Sequence, residues 1–235
     1  MMKSLTELAI KYDVDKRELG FLRHYEHRFE HVRHSITKVL EIGVETGRSH
    51  RMWLEYFPNA TIYGFDIFKH GKEELDRLQQ GNPNLDRSVF FKGDQTNIDD
   101  LTQFIEQHGT DFDIIIDDGG HTMRQQQTTL KMFFDAVKSG GSYVIEDLHT
   151  CSGEWPTLYY QTVIEPGDTL TTDLLTSLEF NDAAVTETLH LSKDDVSNIR
   201  TKLKSCSTET GVLQYTNPKG YRYKWPTLLA FMEIK

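Results

Sequence analysis

The sequence predicts an α/β fold, a doubly wound and mostly parallel sheet with helices on both faces. Three observations predict it. From Lys38 to Asp147, short apolar runs rich in β-branched or aromatic residues alternate with stretches of helical periodicity. The run Ile114-Ile115-Ile116 does not alternate apolar with polar, which suits a strand covered on both faces. Each apolar run ends in an acid or a glycine, which puts polar groups beyond the carboxyl ends of the strands, where such sheets bind ligands.

The elements follow in order. A polar and aromatic segment from Tyr12 to Arg33 reads as part helix and part loop, and its His24-Tyr25-Glu26-His27 suits either a cover over a ligand or a plain surface helix. Strands are expected at Lys38–Ile42, Thr61–Phe65, Val89–Lys92, Asp113–Ile116 and Ser142–Ile145, with helices centred on Met52, Leu75, Phe104 and Lys131 between them. Beyond Asp147 the regularity fades. Trp155-Pro156 interrupts the chain, Asp168–Phe180 has a helical pattern, and Asp182–Lys204 is polar and weakly periodic. Thr227–Ile234 reads as a closing strand paired with one near Val212–Tyr215.

Composition narrows the function. The 235 residues are 37% hydrophobic and 26% charged, the balance of an ordinary globular protein. A formal net charge of -10 with no Lys/Arg run argues against a nucleic-acid partner. No segment approaches the roughly 20 apolar residues that span a bilayer, and the opening Met-Met-Lys-Ser-Leu-Thr-Glu has no apolar run of signal-peptide length, so no membrane association and a cytoplasmic location are expected. Cys151 and Cys206 form no disulfide framework and no CxxC zinc spacing, and both read as free thiols. A homo-oligomer is compatible with all of this.

Three motifs carry the chemistry. The first runs from Val39 through Glu41, Gly43 and Gly47 to Ser49, a strand entering a glycine turn and then a helix, where backbone can approach a ligand whose anionic end faces the helix N-terminus. The second is Gly64-Phe65-Asp66-Ile67, an acid at a strand tip placed to accept from ribose hydroxyls; with the glycine turn it gives the core a Rossmann-like character. Gly93-Asp94-Gln95 follows the third strand. The third motif pairs Ile116-Asp117-Asp118-Gly119-Gly120-His121 with Val144-Ile145-Glu146-Asp147-Leu148-His149. Asp118, Glu146 and Asp147 then offer three hard oxygen donors at adjacent strand ends, suited to Mg²⁺ or a similar ion. Without a cation, such crowding would push some of the carboxyl pKa values up; any single acid here also suits helix capping.

Glu41 before the glycine turn and Gly93-Asp94-Gln95 after the third strand resemble class I S-adenosylmethionine-dependent methyltransferases. The two acid-rich strand ends, Ile116-Asp117-Asp118-Gly119-Gly120-His121 and Val144-Ile145-Glu146-Asp147-Leu148-His149-Thr150, resemble the macrocin and mycinamicin type sugar O-methyltransferases. The likeness extends from Tyr12-Asp13-Val14-Asp15-Lys16 through Thr150 and includes Arg51 to Ala60. It implies a divalent metal held by Asp118, Glu146 and Asp147, with His121 as general base and Asp118 beside it in the catalytic group. It also implies S-adenosylmethionine contacts from Glu41, Gly43, Ser49, Asp66, Asp94 and Asp117, with Gly47 and Gln95 of the same motifs and Tyr12 and Lys16 of the amino-terminal segment completing the set.

The expected reaction is methyl transfer to a hydroxyl of a sugar or glycoside whose vicinal hydroxyls chelate the metal, with His121 taking the proton. A catechol or another vicinal diol would suit the same carboxylates. A nicotinamide-dependent oxidoreductase shares the glycine turn and the ribose acid, but G-x-G-x-x-G is missing and the acidic cluster would go unused. His149 reads as a satisfied, partly buried histidine outside the catalytic group. Trp155, Tyr159, Tyr160, Tyr221 and Trp225 suit either a sugar-stacking wall or the core. The chain is expected to be one domain over 1–235: a cofactor-covering segment 1–37, a cofactor and metal core 38–150, and an acceptor-specificity and closing-strand region 151–235.

Overall fold

The computed structural model describes residues 3–69, 76, 78, 80, 84–151, 167–216 and 222–235, the last two ranges without side chains over 213–216 and 222–226. The helix expected around Leu75 and the aromatic residues Trp155, Tyr159, Tyr160 and Tyr221 lie outside the described residues, as does the Trp225 side chain.

Among the described residues, seven strands form one sheet in the order β3-β2-β1-β4-β5-β7-β6. They are β1 (Lys38–Ile42), β2 (Thr61–Asp66), β3 (Ser88–Lys92), β4 (Phe112–Asp117), β5 (Val137–Ile145), β6 (Leu203–Thr216) and β7 (Arg222–Ile234). The first five run parallel, and β7 enters antiparallel between β5 and β6. The order reverses at β1, between β2 and β4, which makes their carboxyl ends the switch point of the sheet.

Among the described residues the helices are α1 (Leu5–Tyr12), α2 (Leu22–Phe29), α3 (Arg48–Tyr56), α4 (Ile98–His108), α5 (Met123–Phe133), α6 (Thr171–Glu179) and α7 (Lys193–Lys202). α1, α4, α5 and α7 begin at side-chain caps, whereas α2, α3 and α6 do not. Ser4 with Glu7, Thr122 with Gln125, and Ser192 with Asp195 form capping boxes that satisfy orphan amides at three of these starts. None of the described helices is long and apolar enough to cross a membrane.

Successive strand residues feed opposite faces of the sheet. Leu40, Phe65, Ile115 and Tyr143 pack with Phe104, Phe133, Leu174 and Leu178 on one side. Val39, Ile62, Ile114, Ile116 and Val144 pack with Leu5, Leu8, Trp53 and Phe57 on the other. The two-faced burial expected of Ile114-Ile115-Ile116 is therefore present. The closing hairpin is longer than expected. β6 and β7 pair along their full lengths, whereas β5 meets β7 only from Ser142 to Ile145, so residues 222–229 run on past the carboxyl end of β5. The Thr227 hydroxyl there donates to the Leu19 carbonyl at 2.6 Å, tying the amino-terminal segment to the hairpin. Of the two cysteines, Cys206 is a free buried thiol, and the Cys151 side chain lies outside the described residues.

His50 on α3 is fully buried, 2.7 Å from the Ser88 hydroxyl and against the Phe90 ring. Burial, with help from Arg51, lowers its pKa to about 3. The unfolded chain then binds a proton at His50 that the folded chain refuses, so this residue's penalty is absent above about pH 6.5 and grows as pH falls toward 3. His50→Gln is expected to shrink the loss of stability between pH 7 and pH 5 by about 2 kcal/mol, read from urea unfolding at both pH values.

Candidate active site

The carboxyl ends of β1, β2, β4 and β5 are held level by backbone bonds that continue past the strands. Gly43 donates to the Phe65 carbonyl at 2.9 Å, Asp118 to Ile42 at 2.9 Å, and Glu146 to Asp117 at 2.9 Å. Above them opens a cavity of about 800 Å³. Its wall includes Gly43, Ser49, Asp66, Asp94 and Gln95 on one flank, and Asp118, His121 and Asp147 on the other.

The glycine turn is shaped by one residue above all. Gly43 has φ +87°, and a Cβ there would overlap the carbonyl oxygen of Asp118. The turn backbone thus lies directly on the start of the Asp118-Gly119-Gly120-His121 loop, which a side chain would not permit. Asp66 holds the turn from below: Oδ2 accepts from Val44 at 2.7 Å and Glu45 at 3.0 Å, and Oδ1 accepts from Phe68 at 2.8 Å. Oδ1, which accepts a single bond, keeps a further lone-pair site. Asp94 similarly takes Thr96 N–H and hydroxyl on Oδ1, at 2.8 Å each. The Gln95 side-chain Oε1 accepts from Gly120 N–H at 2.7 Å, so the residue after the third strand braces the His121 loop.

Two of the glycine-turn expectations fall behind the wall. Glu41 is wholly buried, accepting from the Trp53 indole at 3.0 Å and from Ser49, and burial raises its pKa to about 7. Gly47 is the left-handed N-cap of α3, packed toward Leu78. Asp117 is also buried, bonded to the Thr129 hydroxyl and to Gly119 N–H, and its pKa rises to about 6 through burial. Tyr12 donates to Glu55 at 2.8 Å and is absent from the wall. None of these four is among the residues that line the cavity. Alternation sends the two acids to opposite faces of the sheet: Glu41 turns toward Trp53, whereas Asp117, in register with Ile42, turns toward Thr129 on the other side.

The acidic group is divided in the same way. Asp118, His121 and Asp147 each offer a donor atom within 4.8 Å of the others. His121 Nε2 lies 3.4 Å from Asp147 Oδ2, and His149 Nδ1 lies 3.8 Å from Asp147 Oδ1. His121 and Asp147 both have left-handed backbone, φ +60° and +54°, which bends each side chain into the opening. Burial pushes the Asp147 pKa up to about 6, with His121 opposing it. Glu146 instead points inward and is 1% exposed. Lys16 Nζ bridges it at 2.8 Å to Asp118, and the Tyr25 hydroxyl donates to its other oxygen. The structure therefore brings Asp118 and Asp147 together at the opening and leaves Glu146 behind them.

Lys16 likewise belongs to this carboxylate group and not to the cavity wall where the cofactor set had placed it. His24-Tyr25-Glu26-His27 does not cover the cavity. Tyr25 is buried against Glu146, while His24 lies 3.2 Å from the Thr210 carbonyl of the hairpin. Asp13-Val14-Asp15 line the cavity instead, with Arg48 of α3 paired to Asp13 at 2.9 Å. The Asp13-Val14-Asp15-Lys16 run carried the family likeness but gave no sign of which member faces the opening.

Comparison with known proteins bears on this geometry. Residues 40–148 match the family model described as Methyltransferase domain. A Streptomyces olivaceus enzyme named 8-demethyl-8-(2-methoxy-alpha-L-rhamnosyl)-tetracenomycin-C 3'-O-methyltransferase is 41% identical over 161 residues, covering 63% of this chain and 38% of the relative. Mycinamicin VI 2''-O-methyltransferase of Micromonospora griseorubida is 37% identical over 163 residues, covering 65% and 37%. The chain thus aligns with well under half the length of these curated relatives. Among solved structures, the MycE methyltransferase of the mycinamycin biosynthetic pathway in complex with Mg and SAH superposes with a TM-score of 0.64 at 27% identity, covering 100% of this chain and 55% of that one. The same enzyme with Mg, SAH and mycinamycin VI superposes with a TM-score of 0.63 at 27% identity, covering 99% and 55%.

Proposed function

We propose that this chain, whose residues 40–148 match the family model described as Methyltransferase domain, transfers a methyl group from S-adenosylmethionine to a hydroxyl of a sugar or glycoside with the help of a divalent metal. The observation that carries the reading is a single cavity whose one flank is the Gly43 turn with Asp66 and Asp94, and whose other flank is Asp118, His121 and Asp147. A methyl donor on the first flank would face an acceptor on the second.

The donor set fits a cation. Asp147 Oδ1 is buried without a hydrogen-bond partner, an arrangement that a metal ion relieves. Asp118 and Asp147 would hold the ion, and Glu146 would join them once Lys16 releases it. A divalent ion there supplies charge stabilisation to an oxygen that becomes anionic as it attacks.

The chain's own residues do the rest. The Gly43 turn and Asp66 set the depth and direction of the cofactor, which fixes the line of oxygen, methyl carbon and sulfur. His121 takes the hydroxyl proton as the O–C bond forms and the C–S bond breaks, leaving S-adenosylhomocysteine. Asp147, 3.4 Å from its Nε2, stabilises the imidazolium that results. The relatives' names favour glycosides over a catechol or other simple diol.

The test is mass spectrometry of a glycoside and catechol panel incubated with S-adenosylmethionine and Mg²⁺, with and without EDTA. Methylated glycoside that disappears in EDTA and returns with excess Mg²⁺ is expected. Product formed undiminished in EDTA would remove the metal from the reaction, and product from catechols alone would move the acceptor class.

A further inference from the structure

We infer that Lys16 is a resident stand-in cation, occupying the cleft between Asp118 and Glu146 until a divalent ion displaces it. The inference rests on the metal-dependent reading above. It explains a feature that reading leaves over: an ammonium sits between two of the three carboxylates that the sequence assigns to one ion.

The geometry is that of a built site. Lys16 is 1% exposed, its Nζ contacts Asp118 Oδ2, and it lies 2.8 Å from Glu146 Oε2. Tyr25 donates to Glu146 Oε1, so both oxygens of that buried carboxylate are occupied. Glu41, wholly buried, lies near enough to add to the field on Lys16. Asp147 completes the acidic group at the opening. Buried and half-buried carboxylates gathered around one ammonium are stable only while a cation stays among them, because removing it leaves uncompensated charge away from water.

A lysine in this place does two things. It lets the chain fold and keep its strand ends level before any metal arrives, since Asp118 and Glu146 remain paired. It also makes metal binding an exchange of one cation for another, which weakens apparent affinity by the free energy of the displaced pair. Lys16 comes from the short helical turn Asp15–Arg17, outside the sheet, whereas both carboxylates are fixed at strand ends, so the lysine is the partner able to withdraw. Once it does, Glu146 is free to join Asp118 and Asp147 as an oxygen ligand.

Lys16→Met removes the competing charge and keeps an unbranched stem in the buried channel. Mn²⁺ affinity by isothermal titration calorimetry is expected to tighten about tenfold or more, in the range of ordinary coupling between sites. The metal-free variant should melt below the wild type, with a larger rise in melting temperature on adding Mn²⁺. Unchanged or weaker Mn²⁺ binding in Lys16→Met, with the wild type binding normally, would overturn the exchange. A wild type that binds no Mn²⁺ would instead overturn the metal reading on which it rests.

Should the variant not fold, the wild type labelled with ¹⁵N-lysine answers alone. A slowly exchanging Lys16 ammonium resonance is expected without metal and is expected to vanish or shift on saturation with Mg²⁺. Its persistence unmoved in saturating Mg²⁺ would contradict displacement.

Discussion

His121→Ala is expected to lower kcat by about 10²- to 10⁴-fold while leaving S-adenosylhomocysteine affinity unchanged. The imidazole stands at the mouth of the acidic group, on a loop with left-handed backbone at residue 121, and faces Asp147 at 3.4 Å. Removing it takes away the proton acceptor without touching the Gly43 turn or Asp66 on the opposite flank. His121 also lies close enough to the two aspartates to serve as a nitrogen ligand, and the variant separates the two roles. As a base, its loss leaves Mn²⁺ affinity near the wild-type value. As a ligand, its loss weakens Mn²⁺ binding in step with activity. Calorimetry with Mn²⁺ and with S-adenosylhomocysteine, beside steady-state rates, distinguishes these outcomes.

Gly43→Ala is expected to cost about 2 kcal/mol or more of stability and to abolish measurable cofactor binding. The residue combines two demands: a φ of +87° and a Cβ position that overlaps the Asp118 carbonyl. Left-handed strain and forced overlap each cost about 1–3 kcal/mol. The only relief is for the turn and the Asp118 loop to separate, which would pull the cofactor flank away from the acidic flank. Denaturant melts and S-adenosylhomocysteine titration check both effects. Wild-type binding by a stable variant would mean that the two flanks do not depend on this contact.

Most of the parallel core was legible because its signals are local. The expected strands at Lys38–Ile42 and Thr61–Phe65 match β1 and β2 to within one residue, and the helix centred on Met52 is Arg48–Tyr56. A helix was also expected over Asp168–Phe180, and Thr171–Glu179 is helical. The closing strand was underestimated because its outer part pairs only with β6, and Pro226 and Lys224 interrupt the apolar pattern expected of a sheet strand. The weakly periodic Asp182–Lys204 stretch hides a true helix, Lys193–Lys202, whose Ser192–Asp195 capping box was its one local signal.

The candidate site was legible in its composition and not in its directions. Sequence places Asp117 beside Asp118 and Glu146 beside Asp147, but adjacency says nothing of which carboxylate turns outward. In the fold one of each pair is buried, and the left-handed backbone of Asp147 decides the outcome on β5. The bridge from Lys16 to Glu146 spans 130 positions of chain, a separation at which no spacing rule operates. The likeness to sugar O-methyltransferases had marked Lys16 as part of the site, yet its partners emerged only when the amino-terminal segment folded against the sheet.

The most direct test is a crystal of this chain grown with Mn²⁺ and S-adenosylhomocysteine, with anomalous diffraction measured at the manganese edge. The account predicts one strong anomalous peak within bonding distance of Asp118 and Asp147, with the nucleoside lying along the Gly43 turn and Asp66 in the same cavity. A peak elsewhere, or a cofactor bound away from that turn, would contradict it.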